Sequence, residues 1–227
     1  MTVGADVWDR LVAGGAARRF RPGDVLLPQG APPTHVLALV GGRVKVRLTL
    51  PDGEVLLLAV RGPGEVLGEI SVLGGDDRSA TVIAIDPCDT RVLPADRFRA
   101  VVRETGAEAE FLRRALRRLR EGEEWRAETA ALPAAKRVVR ALLRLTVPGD
   151  GELDVGLNQT EIGQAVGLSR GVVAAELARL RELGVVTTAR RRIVITDPDG
   201  LRVLAGWGRL TVGNRTIAPP DPRQGGE

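Results

Sequence analysis

Apolar and polar positions follow three rhythms along the chain. From Phe20 to about Phe98, short runs rich in Val, Leu and Ile alternate with glycine turns, as in HVLALVGGRVKVRLTL, PDGEVLLLAVRGPGEV and SATVIAIDPCDTRVLP. Strands at this spacing, broken by Gly-Gly, Asp-Gly and Pro-Gly pairs, predict an antiparallel roll or sandwich. The segment 108–131, EAEFLRRALRRLREGEEWRAETAA, instead places Leu112, Ala115, Leu116 and Leu119 at helical spacing, with arginine and glutamate on the remaining faces. That spacing predicts one long amphipathic helix. With little core available between two domains to cover the apolar stripe, pairing with a second copy of the helix is expected. Gly122 weakens the helix locally and Pro133 breaks it, so a hinge is expected near Leu132.

The third rhythm begins with AKRVVRALLRL, a basic amphipathic helix, and continues in LNQTEIGQAVGLSRGVVAAELARLRELGVV. Asn158 with Glu161 forms a capping box for a short helix, Gly167 allows a sharp turn, and Ser169 caps a second helix running to about Leu183. The runs VVTT and RIVIT then flank the turn ARRR as a hairpin. Together these predict a winged helix-turn-helix, the alternative being a helical hairpin that binds nothing. Beyond Gly213 the composition is that of a disordered tail. The expected class is α+β: an N-terminal antiparallel β-roll over 1–106, a dimerisation helix over 107–131, a winged helix-turn-helix over 132–213 and a tail over 214–227.

Composition narrows the functions this architecture can serve. At 44% hydrophobic and 27% charged residues, with no apolar run approaching a membrane span, the chain has an ordinary soluble profile. Cys88 is the single cysteine and His35 the single histidine, which excludes an internal disulfide and a set of soft ligands for zinc or an iron-sulfur cluster. Both are expected to be structural. No nucleophile and base stand together, so neither an enzyme nor a catalytic cofactor is expected. The opening residues are interrupted by acids and arginines, unlike a secretory signal, and a cytoplasmic location is expected. The net charge of +4 is unevenly placed: residues 1–106 carry thirteen cations and thirteen anions, the rest twenty cations against sixteen. A polyanionic partner is therefore sought in the C-terminal half.

One stretch of the roll carries candidate chemistry. GEISVLGGDDRSATV sets Glu69 and Arg78 nine positions apart among apolar strands. Either they close a loop as a salt bridge, or they serve an anionic ligand.

The order of parts, together with Gly68-Glu69, the run Arg78-Ser79-Ala80-Thr81-Val82 and the run Gln159 to Val173, resembles the Crp/Fnr family of bacterial transcription regulators over about Phe20 to Leu204. The resemblance implies a cyclic nucleotide, cyclic AMP or cyclic GMP, as allosteric ligand. By it, Arg78 pairs with the phosphate and Glu69 accepts from the ribose 2'-hydroxyl. Gly68 allows close approach, while the turn Glu69, Ile70, Ser71 and the amides of Ser79 and Ala80 add backbone donors. Where the family's cyclic AMP receptors offer a Thr-Ser pair to the base, this chain has Gly122 and Glu123, so Glu123 is the candidate base contact.

The resemblance further implies a homodimer on double-stranded operator DNA, with RNA polymerase as a further partner and no membrane. Gln159, Thr160, Ser169, Arg170, Gly171, Val172 and Ala174 would face DNA, and Arg190, Arg191 and Arg192 in the wing turn would meet phosphates. The family's reading pattern Ser-Arg-Glu-Thr-Val-Gly-Arg is here Ser169-Arg170-Gly171-Val172-Val173-Ala174-Ala175. Arg170 is kept for a guanine contact and two polar readers are lost, so a different half-site is expected. Two other readings remain: a ligand-independent DNA-binding member of the family, and a nucleotide-binding scaffold without DNA binding.

Overall fold

A computed structural model describes residues 3–147, 153–189, 192–207, 210–212 and 215–217, the last two stretches as backbone alone. Its N-terminal half runs α1 (Ala5–Gly14), β1 (Ala16–Phe20), β2 (Val25–Leu27), β3 (His35–Gly41), β4 (Val44–Thr49), β5 (Val55–Arg61), β6 (Glu65–Leu67), α2 (Glu69–Gly74), β7 (Thr81–Ala84), β8 (Cys88–Pro94) and α3 (Ala95–Thr105). The strands form two antiparallel sheets, β1-β8-β3-β6 and β2-β7-β4-β5. Leu27, Leu37, Leu39, Val44, Leu67 and Val82 fill one core between them.

Strand β3 is buried on both faces, which explains the unbroken apolar run HVLALV. Leu37 and Leu39 point into the roll, while Val36 and Ala38 point out against Leu11 of α1 and Phe98 of α3. These two flanking helices lie within the segment assigned to the roll. Phe111 then anchors α4 (Glu108–Ala131), its ring packed edge-on against Phe98 at 5.2 Å between centroids. On another face of α4, Leu112, Leu116 and Leu119 are exposed.

After Leu132, in extended conformation, Pro133 caps α5 (Ala134–Leu145). There follow β9 (Leu153–Asp154), α6 (Gln159–Val166), α7 (Arg170–Glu182), β10 (Val186–Ala189), β11 (Arg192–Ile195) and α8 (Pro198–Ala205), with the strands ordered β10-β11-β9. The third core packs α5, α6 and α7, and it also takes in Leu57 and Val60 from β5 of the roll. The two halves therefore share apolar surface.

Near the start of the segment expected as a tail, β12 (Leu210–Val212) and β13 (Arg215–Ile217) pair antiparallel, Thr211 opposite Thr216; positions 214 and 218–227 lie outside the described residues. Among the described residues no helix is long and apolar enough to cross a membrane, and no cluster of metal-ligating side chains occurs.

Candidate functional site

Strand β6 ends at Leu67, and Gly68 turns the chain through a left-handed conformation (φ +82°) into α2. No other residue fits there, because a Cβ at 68 would overlap the Arg78 guanidinium as well as meet a strained backbone. Arg78 is only 4% exposed. Its Nη1 donates to the Gly68 carbonyl at 2.7 Å and its Nη2 donates to the His35 carbonyl. Both acceptors are neutral. No carboxylate lies within ion-pair distance of Arg78 among the described residues. Burial holds its pKa below the ordinary guanidinium value, with the nearby charge of Glu69 opposing the shift. The two carbonyls satisfy guanidinium N–H groups without neutralising the charge.

Glu69 is 3% exposed and pairs with Arg118 of α4 through Oε1, not with Arg78. The salt-bridge reading of Glu69 and Arg78 is thus corrected: a third residue, on the long helix, takes the carboxylate. Glu69 Oε2 is buried and accepts no hydrogen bond among the described residues. Arg118 also reaches Glu65 Oε2 at 3.0 Å, and Arg114, one turn earlier, reaches the same oxygen at 2.9 Å. Burial alone would lower the Arg118 pKa, but the carboxylates of Glu69 and Glu65 outweigh it and hold the group above its usual value. Arg61, at the end of β5, faces Glu121 at 3.8 Å, and burial and then Arg118 lower its pKa. The roll and α4 thus meet through a network of guanidinium and carboxylate groups centred on Glu65 and Glu69.

The remaining candidates divide. Ser71 is buried, and its hydroxyl donates to the Asp77 carbonyl at 3.4 Å. Ile70 and Ser79 are exposed and Ala80 is half-buried, all near the Gly68 turn or the Arg78 loop. Glu123 does not join them. It is exposed and continues the line of Leu112, Leu116 and Leu119 at the next helical step, away from the face carrying Arg114, Arg118 and Glu121. Sequence reasoning missed Arg61, Arg114, Arg118 and Glu65. The available signal was Phe111, Arg114 and Arg118 at spacings of three and four, a stripe that faces the roll.

In the C-terminal half the capping box closes as expected: Glu161 N donates to Asn158 Oδ1 at 3.0 Å and Asn158 N to Glu161 Oε2 at 2.9 Å. Ser169 Oγ caps α7 by accepting from Val172 N at 3.4 Å. Ser169, Arg170, Gly171, Val172 and Ala175 are exposed, Ala174 is half-buried, and Val173 and Leu177 turn into the core. On α6, Gln159 is half-buried and Thr160 exposed. Arg192 opens β11, where its Nε lies 3.3 Å from Asp154 Oδ2. Arg190 and Arg191 lie outside the described residues.

A cyclic nucleotide-binding domain model matches residues 17–105 and a Crp-like helix-turn-helix model residues 136–204. The chain belongs to the Crp/Fnr family of transcription regulators. Among similar Crp/Fnr proteins, the cyclic AMP receptor protein of Thermus thermophilus is 32% identical over 188 residues, covering 79% of this chain and 87% of that one. A CRP-like cAMP-activated global transcriptional regulator of Mycobacterium tuberculosis is 29% identical over 189 residues, covering 80% and 84%. The solved structure of the c-di-GMP responsive regulator CLP of Xanthomonas campestris superposes with a TM-score of 0.70 at 20% identity, covering 85% of this chain and 99% of that one, and so shares the fold. As a Crp/Fnr protein, the chain combines a cyclic nucleotide-binding roll with a DNA-binding helix-turn-helix.

Proposed function

We propose that this chain is a homodimeric, non-enzymatic transcription regulator whose DNA affinity is set by cyclic AMP bound beside Glu69 and Arg78. The observation that carries the reading is the pairing of a buried, carbonyl-held Arg78 with the unpartnered Oε2 of Glu69. One supplies a cation for an exocyclic phosphate and the other an acceptor for a ribose hydroxyl. The names of the relatives at 29% and 32% identity favour cyclic AMP over cyclic GMP. The exposed leucines of α4 favour a twofold pair of these helices, and on that arrangement Glu123 meets the base held by the partner protomer. Arg170, exposed at the start of α7, would read guanine, and Gln159 and Thr160 at the start of α6 would sit near phosphates.

Calorimetric titration with cyclic AMP and cyclic GMP tests the site. The wild type is expected to give saturable heat, stronger with cyclic AMP. Arg78→Gln leaves a buried phosphate without its charge partner and should lose roughly 2–5 kcal/mol, about thirty-fold to several thousand-fold in affinity. Glu69→Gln should lose less, because an amide oxygen still accepts from a hydroxyl. A wild type that binds neither nucleotide at millimolar concentration would sink the proposal.

A further inference from the structure

The roll holds the helix-turn-helix by two cations that lie outside the nucleotide pocket. Lys45, the second residue of β4, pairs through Nζ with Glu161 Oε1, and the two side chains are only 16% and 14% exposed. Glu161 thereby serves twice, since its other oxygen closes the capping box of α6. Arg43, two residues before Lys45, is clamped to Asp86 of the roll at 2.6 and 3.0 Å. From there Arg43 Nη1 donates to the Asp154 carbonyl of β9, and Nη2 stands 3.8 Å from the Asp154 carboxylate. The same carboxylate meets Arg192 of the wing. Around these pairs, Leu57 and Val60 of β5 are buried in the core of the DNA-binding half. Both ends of that half, the first helix of the helix-turn-helix and the sheet of the wing, are fixed to one strand and turn of the roll.

We infer that Lys45 and Arg43 are positioning residues for DNA recognition: through Glu161 and Asp154 they fix the pose of the helix-turn-helix on the roll, leaving the reading face of α7 open. The physical need follows from the dimeric reading proposed above, on which this inference rests. Two reading helices must stand about one DNA turn, roughly 34 Å, apart to enter successive major grooves. A half-molecule swinging freely about Leu132 and Pro133 would spread that separation, and ordering it would be charged against binding. The docked ion pairs remove the freedom in advance. Lys45 also stands opposite Ile83 of β7, the strand that follows the Arg78 loop, so the positioning cation and the phosphate loop share one ladder.

A mostly buried ion pair has a signature that a simple structural contact lacks. Removing one partner strands the other charge, whereas removing both is far milder. The test uses the full-length protein and a duplex selected by the wild type from a random pool. Lys45→Gln and Glu161→Gln should each weaken binding by about ten-fold, while the double variant should recover to within about three-fold of wild type. Glutamine at 161 retains the capping box, so α6 stays formed. Lys45→Arg, which keeps the charge, should bind close to wild type, and nucleotide affinity should be unchanged in every variant. Hydrogen exchange, which needs neither DNA nor nucleotide, should show faster exchange at α6 and β9 in Lys45→Gln. Unaltered exchange in Lys45→Gln would overturn the inference, as would losses in the two single variants that add in the double. A wild type that is monomeric or selects no duplex would instead fail the dimeric reading, with the exchange result still deciding whether the pose is held.

Discussion

Three side chains illustrate how burial decides chemistry at single positions. Arg78 remains a usable cation because its neighbours are carbonyl dipoles, which satisfy the guanidinium N–H groups without neutralising its charge. Glu69 shows the reverse, since Arg118 takes one oxygen and leaves the other as a buried acceptor. Cys88 is inert for a third reason. Burial, and then the carboxylates of Asp86 and Asp89, push its thiol from 9.0 up to about 11. The folded protein thus binds this proton more tightly than the unfolded chain does. The stability it contributes is complete below pH 9 and is lost as pH rises toward about 11. Native protein at pH 8 should resist thiol alkylation, and unfolding in denaturant should expose one reactive thiol per chain. Stability should fall between pH 9 and 11 in the wild type, and less so in Cys88→Ala.

At the scale of elements, α4 carries two jobs on two faces. Phe111, Arg114, Arg118 and Glu121 face the roll, and Leu112, Leu116 and Leu119, each at least 45% exposed, face away. Placing glutamate at both 116 and 119 puts like charges on the outward face, which disfavours self-association while leaving the roll contacts intact. Sedimentation should then show monomers at concentrations where the wild type is dimeric, with helical content unchanged. The leucine stripe, the capping box at Asn158, the cap at Ser169 and the break at Pro133 were all legible in the sequence, because each is a local rule with a fixed spacing. Glu69 and Arg78 stood out as charges set among apolar strands, and both are buried. Arg118 as the partner of Glu69 was not legible, since that contact spans 49 residues and depends on how the long helix lies against the roll. Helices α1 and α3 escaped for a related reason. Each is short and amphipathic, and β3, the strand they cover, shows only an apolar run that does not say what lies on its far side.

Across the whole molecule, the junction between α4 and α5 is bridged by aromatic and charged groups. Arg144 lies 5.0 Å from the ring centroid of Trp125 on α4 and 5.9 Å from that of Trp207, just beyond α8, while Arg140 lies 5.2 Å from Trp207. Glu128 of α4 joins both arginines, at 2.8 and 3.1 Å. A single carboxylate thus ties the long helix to two turns of α5 across Leu132 and Pro133. Glu128→Ala leaves two partly buried guanidinium groups without that partner and should cost roughly 1–3 kcal/mol. Thermal unfolding followed by tryptophan fluorescence should register the loss as a lower midpoint, whereas Glu128→Gln should fall between the two.

The burial of Leu57 and Val60 of the roll within the C-terminal core also bears on how such regulators could be recombined. A chimera that joins this roll to a foreign DNA-binding half at Pro133 would cut through no secondary structure, yet it would leave two aliphatic side chains and two cations facing a surface not shaped for them. The natural unit of exchange is therefore larger than the helix-turn-helix. It includes β5, the turn at Arg43 and the strand bearing Lys45, so an altered operator preference is better sought by changing exposed residues of α7 than by grafting a domain.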